Sequence, residues 1–176
     1  MFDSIEEAIE STSVGDILAS LSSKLKDYVL DKKISNPALI GIRRGGVWIG
    51  QILRQVCFPS SDLGELNIAY YRDDFSEIGL HPTVEPSVLP FDIDDRDVIL
   101  FDDILYTGRT VRAAMNEIFD YGRPKSVILV VLLDRGGREL PIKPDLCGIK
   151  VELSSDYHVK LVNEDAMRLK VFERGK

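Results

Sequence analysis

Apolar residues at Val14, Ile17, Leu18, Leu21, Leu25, Tyr28 and Val29 recur at steps of three and four, the spacing that lays one apolar stripe along an α-helix. Ser13 stands where an N-cap belongs, with Asp16 three residues on. Ala38 to Ile42 is a short continuous apolar run preceded by Pro37, too short for a helix, and predicts a buried strand. Helical spacing resumes from Val47 to Val56, and Leu66 to Tyr71 predicts another strand. Val98 to Phe101 is the clearest strand core, Val111 to Tyr121 a helix closed by Gly122 and Pro124. Val127 to Leu133 is apolar at every position, as in a strand covered on both faces. Beyond Asp134 come β-like runs at Ile149 to Leu153 and His158 to Val162, then a terminal segment without assignable pattern. Strands alternating with helices predict an α/β fold, a mostly parallel, twisted, doubly wound sheet with its ligand site beyond the carboxyl ends of the strands. No repeat or composition break divides the chain, so one domain over residues 1–176 is expected.

From Arg72 to about Asp95 periodicity is lost, with Gly79, Pro82, Pro86 and Pro90 in the stretch. A loop this long inside a compact domain reads as a lid over a site or as an arm that packs on a neighbour. No apolar run is long enough to span a membrane and the acidic N-terminus lacks a secretory layout, so a cytoplasmic protein is expected. The net charge of −7 weighs against broad nucleic-acid binding, which depends on lysine and arginine neutralising phosphates. Cys57 and Cys147 sit in apolar stretches and read as buried thiols; His81 and His158 are isolated, without metal-ligand spacing.

The chemistry concentrates between Val98 and Thr110, where a buried strand, adjacent carboxylates Asp102 and Asp103, a small polar turn and a helix start follow in order. Free N–H groups and the positive dipole end at a helix start bind phosphate, and Thr107, Gly108 and Thr110 add hydroxyls and close backbone approach. The carboxylates would repel phosphate, but suit ribose hydroxyls or a metal ion held between hydroxyls and diphosphate. The ligand outlined is a phosphorylated sugar. The same residues also serve as ordinary strand-end and helix-start caps. Neither a Gly-x-x-x-x-Gly-Lys-Ser/Thr loop nor a Gly-x-Gly-x-x-Gly turn after a strand occurs, which argues against a kinase or a dehydrogenase.

The run from Val98 to Thr110 resembles the phosphoribosyl-diphosphate (PRPP) signature of type I phosphoribosyltransferases. With Tyr71-Arg72-Asp73-Asp74, Pro90-Phe91-Asp92-Ile93, Tyr106 to Arg112 and Leu133 to Ile142, the chain resembles from about Ala38 to Val151 the family of bifunctional pyrimidine-operon attenuation regulators and uracil phosphoribosyltransferases. That resemblance implies a type I phosphoribosyltransferase fold with a small hood. It also implies conversion of uracil and PRPP to UMP and diphosphate with Mg2+, in a homodimer or larger homo-oligomer. By the same resemblance Arg43, Arg44, Gly45 and Gly46 form the diphosphate loop, and Asp102 and Asp103 hold the ribose hydroxyls and possible metal. Ile104, Leu105, Tyr106, Thr107, Gly108, Arg109 and Thr110 complete the PRPP motif, with the 5′-phosphate at Thr107 to Thr110. Arg72 and Asp73 belong to a closing lid that excludes water, Arg135 to a further diphosphate or substrate contact, and Val159 to the hood strand that meets the base through its backbone.

Two departures stand out. Arg44 occupies the place where the family commonly has Thr. The first long helix carries Ala19, Ser20, Ser22 and Ser23 where messenger-RNA-binding members present Arg, His and Thr; Lys24, Lys26, Arg138 and Lys143 keep some positive charge. An enzyme with a weakened attenuation role is expected. The alternatives are a UMP-sensing regulator that binds an mRNA leader, and a purine phosphoribosyltransferase. Arg43 and Arg44 also read as a solvated turn, and Arg135 and Arg138 as surface charges on a hairpin.

Overall fold

The computed structural model describes residues 4–68 and 86–173. Its elements are α1 (Ile5–Glu10), α2 (Val14–Asp31), β1 (Ala38–Ile42), α3 (Gly45–Cys57), β2 (Leu63–Leu66), β3 (Asp97–Leu105), α4 (Arg109–Tyr121), β4 (Ser126–Asp134), β5 (Leu146–Lys150), β6 (Tyr157–Asn163) and β7 (Met167–Glu173). Strands β2, β1, β3, β4 and β5 lie in that order in one sheet, every pair parallel, while β6 and β7 form an antiparallel pair of their own. The parallel sheet flanked by helices is the architecture the hydrophobic pattern predicts, and β6–β7 stands apart as the small hood that the resemblance implies.

Successive side chains of a strand point to opposite faces, so the sheet serves two cores. On one face Leu39, Ile99, Phe101, Ile128, Val130 and Leu132 share a cluster with Ile9, Leu21, Leu25, Ile49 and Leu53 of α1, α2 and α3, joined by Val159, Leu161 and Leu169 of the hood. On the other, Ile40, Val98, Leu100, Leu129 and Val131 meet Val111, Ala114 and Ile118 of α4. Coverage on both faces removes any need for polar alternation, which is why the cores of β3 and β4 read as unbroken apolar runs. Helix α2 buries Val14, Ile17, Leu18, Leu21 and Leu25 along its stripe, with Tyr28 and Val29 half-buried near its end. Its Ser13 cap accepts the Asp16 N–H at 3.2 Å.

The structure differs from the sequence expectations at the margins. The strand expected at Leu66 to Tyr71 is β2, Leu63–Leu66, because the edge of β1 pairs Leu39 with Leu63 and Ile42 with Leu66; residues 69–71 lie outside the described residues. The strand expected at Ile149 to Leu153 is β5, Leu146–Lys150, set by register against β4, Val130 to Leu146 and Asp134 to Lys150. The short helix α1 and the terminal strand β7 had no sequence pattern strong enough to announce them. Cys57 and Cys147 are half-buried rather than fully enclosed, and burial pushes both thiols up, so they stay protonated at neutral pH.

Of the expected lid, Arg72 to Asp95, only residues 86–95 are described. This returning leg is fastened to the sheet edge and to α4. Val88 and Glu65 exchange backbone hydrogen bonds at 2.8 Å, and the Asn67 N–H donates to Ser87 Oγ at 2.8 Å. Ser87 Oγ also bonds the Glu117 carboxylate, and the Tyr121 hydroxyl donates to the Ser87 carbonyl at 3.2 Å. Among the described residues no helix is long and apolar enough to cross a membrane.

Leu132 is fully buried in the core beneath the hood. Leu132→Ala is expected to destabilise the protein by about 3 kcal/mol, read as a lowered urea midpoint at nearly unchanged slope.

Candidate active site

Strands β1 and β3 lie side by side with Gly41 opposite Phe101, and the turn from β1 into α3 folds over the end of β3. There is no room for side chains at its glycines. A Cβ on Gly41 would stand 2.7 Å from Val47 Cα, one on Gly46 would strike the Phe101 carbonyl oxygen, and one on Gly45 would strike the Asp103 carboxylate. The expected diphosphate loop therefore lies directly against the expected acid pair. The Arg43–Arg44 peptide is cis. Arg43 donates from Nε to Glu65 Oε2 at 2.9 Å and from its N–H to the Leu66 carbonyl at 2.9 Å, which ties it to β2 rather than leaving it a solvated turn residue. Arg44 is exposed, and its carbonyl accepts the Val47 and Trp48 N–H groups at 3.1 and 3.2 Å, starting α3.

Asp102 is 3% exposed, its position fixed by pairing with Val131, and its Oδ1 accepts the Asp103 N–H at 3.0 Å. Asp103 is partly exposed. Ile104 and Leu105 complete β3 against Leu133 and Asp134. The chain then turns through Tyr106, Thr107 and Gly108 into α4. Gly108 has φ +95°, a left-handed conformation that favours glycine. The Arg109 N–H donates to Thr107 Oγ1 at 3.3 Å, Arg109 pairs with Glu139 at 2.7 Å, and Thr110 is half-buried in the first turn. Neither α3 nor α4 carries an acidic residue in its first turn. Following adjacent parallel strands, both helices start at the carboxyl end of the sheet, so two positive dipole ends flank the carboxylates.

Behind this turn runs the segment 135–142, and here the structure gives several residues work that spacing alone did not show. Arg135 is 2% exposed, not a surface charge. Its guanidinium donates to the carbonyls of Tyr157 at 2.8 Å, Ser154 at 3.0 Å and Leu153 at 3.4 Å, and lies 3.9 Å from the Tyr106 ring centre. It thus joins the hood to the turn after β3 by hydrogen bonds and cation–π stacking. Arg138, expected to offer positive charge to RNA, forms an ion pair with Asp134 at 2.6 Å and donates to the Tyr106 carbonyl at 2.6 Å. Lys143 is exposed. Val159 lies mid-hood, paired with Val171, its side chain in the core beneath. Arg72 and Asp73 lie outside the described residues. Asp134, Glu139 and Glu65 were not singled out by sequence; their only signal was an acid at the end of, or just after, a strand.

Burial alone would raise the Asp134 carboxyl, but the Arg138 guanidinium and the Gly136 N–H outweigh it and hold the group below the ordinary aspartate range. Among the described residues no group of three or more His, Cys, Asp or Glu side chains is arranged to hold a metal. The partly exposed Asp103 carboxylate fits a magnesium ion carried in by a phosphorylated ligand, since that ion takes only one or two carboxylates and fills its remaining positions with substrate and water oxygens.

Comparison with known proteins identifies the family and the fold. The family model "Phosphoribosyl transferase domain" matches residues 7–165. A protein called Bifunctional protein PyrR from Nitrosococcus oceani is 50% identical over 163 residues, covering 92% of each chain. One of the same name from Pseudomonas fluorescens is 47% identical over 156 residues, covering 89% of this chain and 93% of its own. Among solved structures, a hypoxanthine phosphoribosyltransferase from Staphylococcus aureus superposes with TM-score 0.59 at 19% identity, covering 89% of this chain and 85% of that one. A purine phosphoribosyltransferase from Pyrococcus horikoshii gives TM-score 0.55 at 20% identity, covering 79% and 83%. At such identity these two establish a shared fold, the type I phosphoribosyltransferase fold.

Gly45→Ala is expected to displace Asp103 and lower PRPP affinity at least about tenfold, roughly 1.4 kcal/mol, measured by calorimetry. The Asp134 pair sets an acid limit. Its stabilisation is complete above the ordinary aspartate value of about 3.9 and is lost as pH falls through the lower folded value. Asp134→Asn should flatten that acid limb in denaturation curves. At neutral pH it should cost about 3 kcal/mol, the low end for a broken buried pair, because Arg138 keeps 22% of its side-chain surface exposed.

Proposed function

The chain belongs to the phosphoribosyl transferase family and, within it, to the group of the bifunctional PyrR proteins, and from that premise we propose that it catalyses Mg2+-dependent transfer of phosphoribosyl from PRPP to uracil, giving UMP and diphosphate. The observation that supports this reading is the close approach of the Gly45 backbone to Asp103, which sets the 43–46 turn against the acid pair. Uracil as the base rests on the kinship with the PyrR group.

A glycosidic bond forms while diphosphate leaves the ribose carbon, so negative charge grows on the leaving oxygens and positive charge on the sugar ring. Little covalent chemistry falls to the protein. Catalysis is positioning together with fixed charges aimed where charge develops. The Tyr106–Thr110 turn takes the 5′-phosphate on backbone N–H groups and the Thr107 and Thr110 hydroxyls. Asp102 and Asp103 accept hydrogen bonds from the ribose hydroxyls and hold the ring through the rise in its positive charge. The 43–46 loop takes the diphosphate, with the exposed Arg44 guanidinium in reach of solvent and of an incoming anion. Magnesium, when bound, neutralises the diphosphate and lowers the cost of its departure.

The family's second activity, binding an mRNA leader, finds less support. Arg138 is committed to Asp134 and Tyr106, and Lys24 donates from Nζ to the Cys147 carbonyl at 3.0 Å. Ala19, Ser20 and Ser23 are exposed on α2 without charge, on a chain of net charge −7. Lys26 and Lys143 are exposed but too few for a large counterion-release contribution.

Labelled uracil with PRPP and magnesium is expected to give UMP, with EDTA stopping the reaction and guanine and hypoxanthine failing to compete. Purine turnover would replace uracil as the base. Asp102→Asn combined with Asp103→Asn is expected to lower turnover by at least about 100-fold with an unchanged circular dichroism spectrum, and wild-type rates in that variant would remove the site assignment.

A further inference from the structure

We propose that Arg138 is a positioning residue for phosphoribosyl transfer: it holds the peptide planes of the phosphate turn from behind, so that their N–H groups face the ligand. This rests on the proposed reading of the site as a PRPP site and adds to it a residue that touches neither substrate nor product.

The carbonyls of three successive residues point into the 135–142 segment. The Leu105 carbonyl accepts the Arg135 N–H at 3.1 Å and Arg138 Nη1 at 3.5 Å. The Tyr106 carbonyl accepts Arg138 Nη1 at 2.6 Å. The Thr107 carbonyl accepts the N–H groups of Glu139 and Leu140, both at 3.1 Å. In a planar trans peptide the carbonyl and the following N–H point in opposite directions. Tying these carbonyls back therefore turns the N–H groups of Tyr106, Thr107 and Gly108 the other way, as a concave set of donors of the kind that cradles phosphate.

Arg138 is the side chain on which this arrangement depends. Nη1 also reaches the Gly136 carbonyl at 3.2 Å, and Nε donates to the Ile142 carbonyl at 2.9 Å, closing the 136–142 segment into a compact backing. Its Nη2 is held by Asp134, the last residue of β4. The guanidinium is thus clamped to the rigid sheet on one side and to the turn on the other. A Cβ on Gly108 would stand 3.3 Å from Ile142 and 3.4 Å from Leu140, so the backing also packs against the turn at this residue. A single ammonium cannot serve carbonyls spread in this plane, whereas the rigid guanidinium fork can.

The test separates this role from general stability and from the reading it rests on. Wild type, Arg138→Lys and Arg138→Gln are compared for binding of PRPP and of ribose 5-phosphate by calorimetry, for uracil turnover, and for thermal melting. Wild type should bind both phosphates. Arg138→Gln should weaken both by about tenfold or more, and raise KM for PRPP by a similar factor with KM for uracil within about twofold. Arg138→Lys, with its charge retained, should recover melting temperature but not phosphate affinity. Unchanged ribose 5-phosphate affinity in Arg138→Gln would overturn the positioning role while leaving the PRPP site standing. Rescue of affinity by lysine would also overturn it, since charge alone would then suffice. Wild-type protein that binds neither phosphate would remove the PRPP site itself, and the positioning role with it. Should Arg138→Gln fail to fold, the lysine variant alone decides, by the same comparison of affinity with melting.

Discussion

A strand covered by helices on both faces can hold a carboxylate only where the rest of the fold meets its hydrogen bonds, and β3 faces that constraint at Asp102. From Val98 to Phe101 it is completely buried, and Asp102, one residue on, is still 3% exposed. Moving such a group out of water is expensive unless its hydrogen bonds are met. Strand β4 fixes it by register, and the Asp103 N–H satisfies one oxygen. The close approach of Gly45 and Gly46 is possible only because those positions have no side chain, and it brings a second helix start to the same place. The two helix starts and the acid pair are therefore consequences of one placement: a central parallel strand that ends in charge between two backbone turns.

Much of this was legible in the residues. The stripe of α2, the serine cap at Ser13, the strand at Ala38–Ile42 and the apolar cores of β3 and β4 all stand where periodicity put them. These elements are long, or uniformly buried, and their local pattern agrees with their tertiary setting. The edge strands were less legible for a physical reason. β2 and β5 are short, and their limits are decided by which residues of β1 and β4 they pair with, information that lies on another part of the chain. The antiparallel β6–β7 pair shows the same dependence: β7 gains its conformation from β6 rather than from a pattern of its own.

The site was legible as a motif but not as a support. The run Asp102 to Thr110 declares its chemistry through residue types in order, whereas the residues holding it in shape are remote in sequence and ambiguous in type. Arginines at 135 and 138 on a Gly-containing connection look like surface charge when read one at a time. What makes them interior is the set of carbonyls around them, and a carbonyl has no signature in a sequence. Gly137 belongs to the same class: its positive φ of 68° and its closeness to the Tyr106 ring require glycine, yet nothing along the chain distinguishes it from an ordinary hairpin glycine.

The tie between the sheet edge and the returning segment bears on how freely this protein can vary in length. Asn67 and Ser87 are joined by a hydrogen bond, and Glu65 and Val88 by a backbone bridge, so the chain departs from and rejoins the fold at neighbouring points. The scaffold's own contacts fix both of these points, so a change in chain length between them leaves the two anchors where they are.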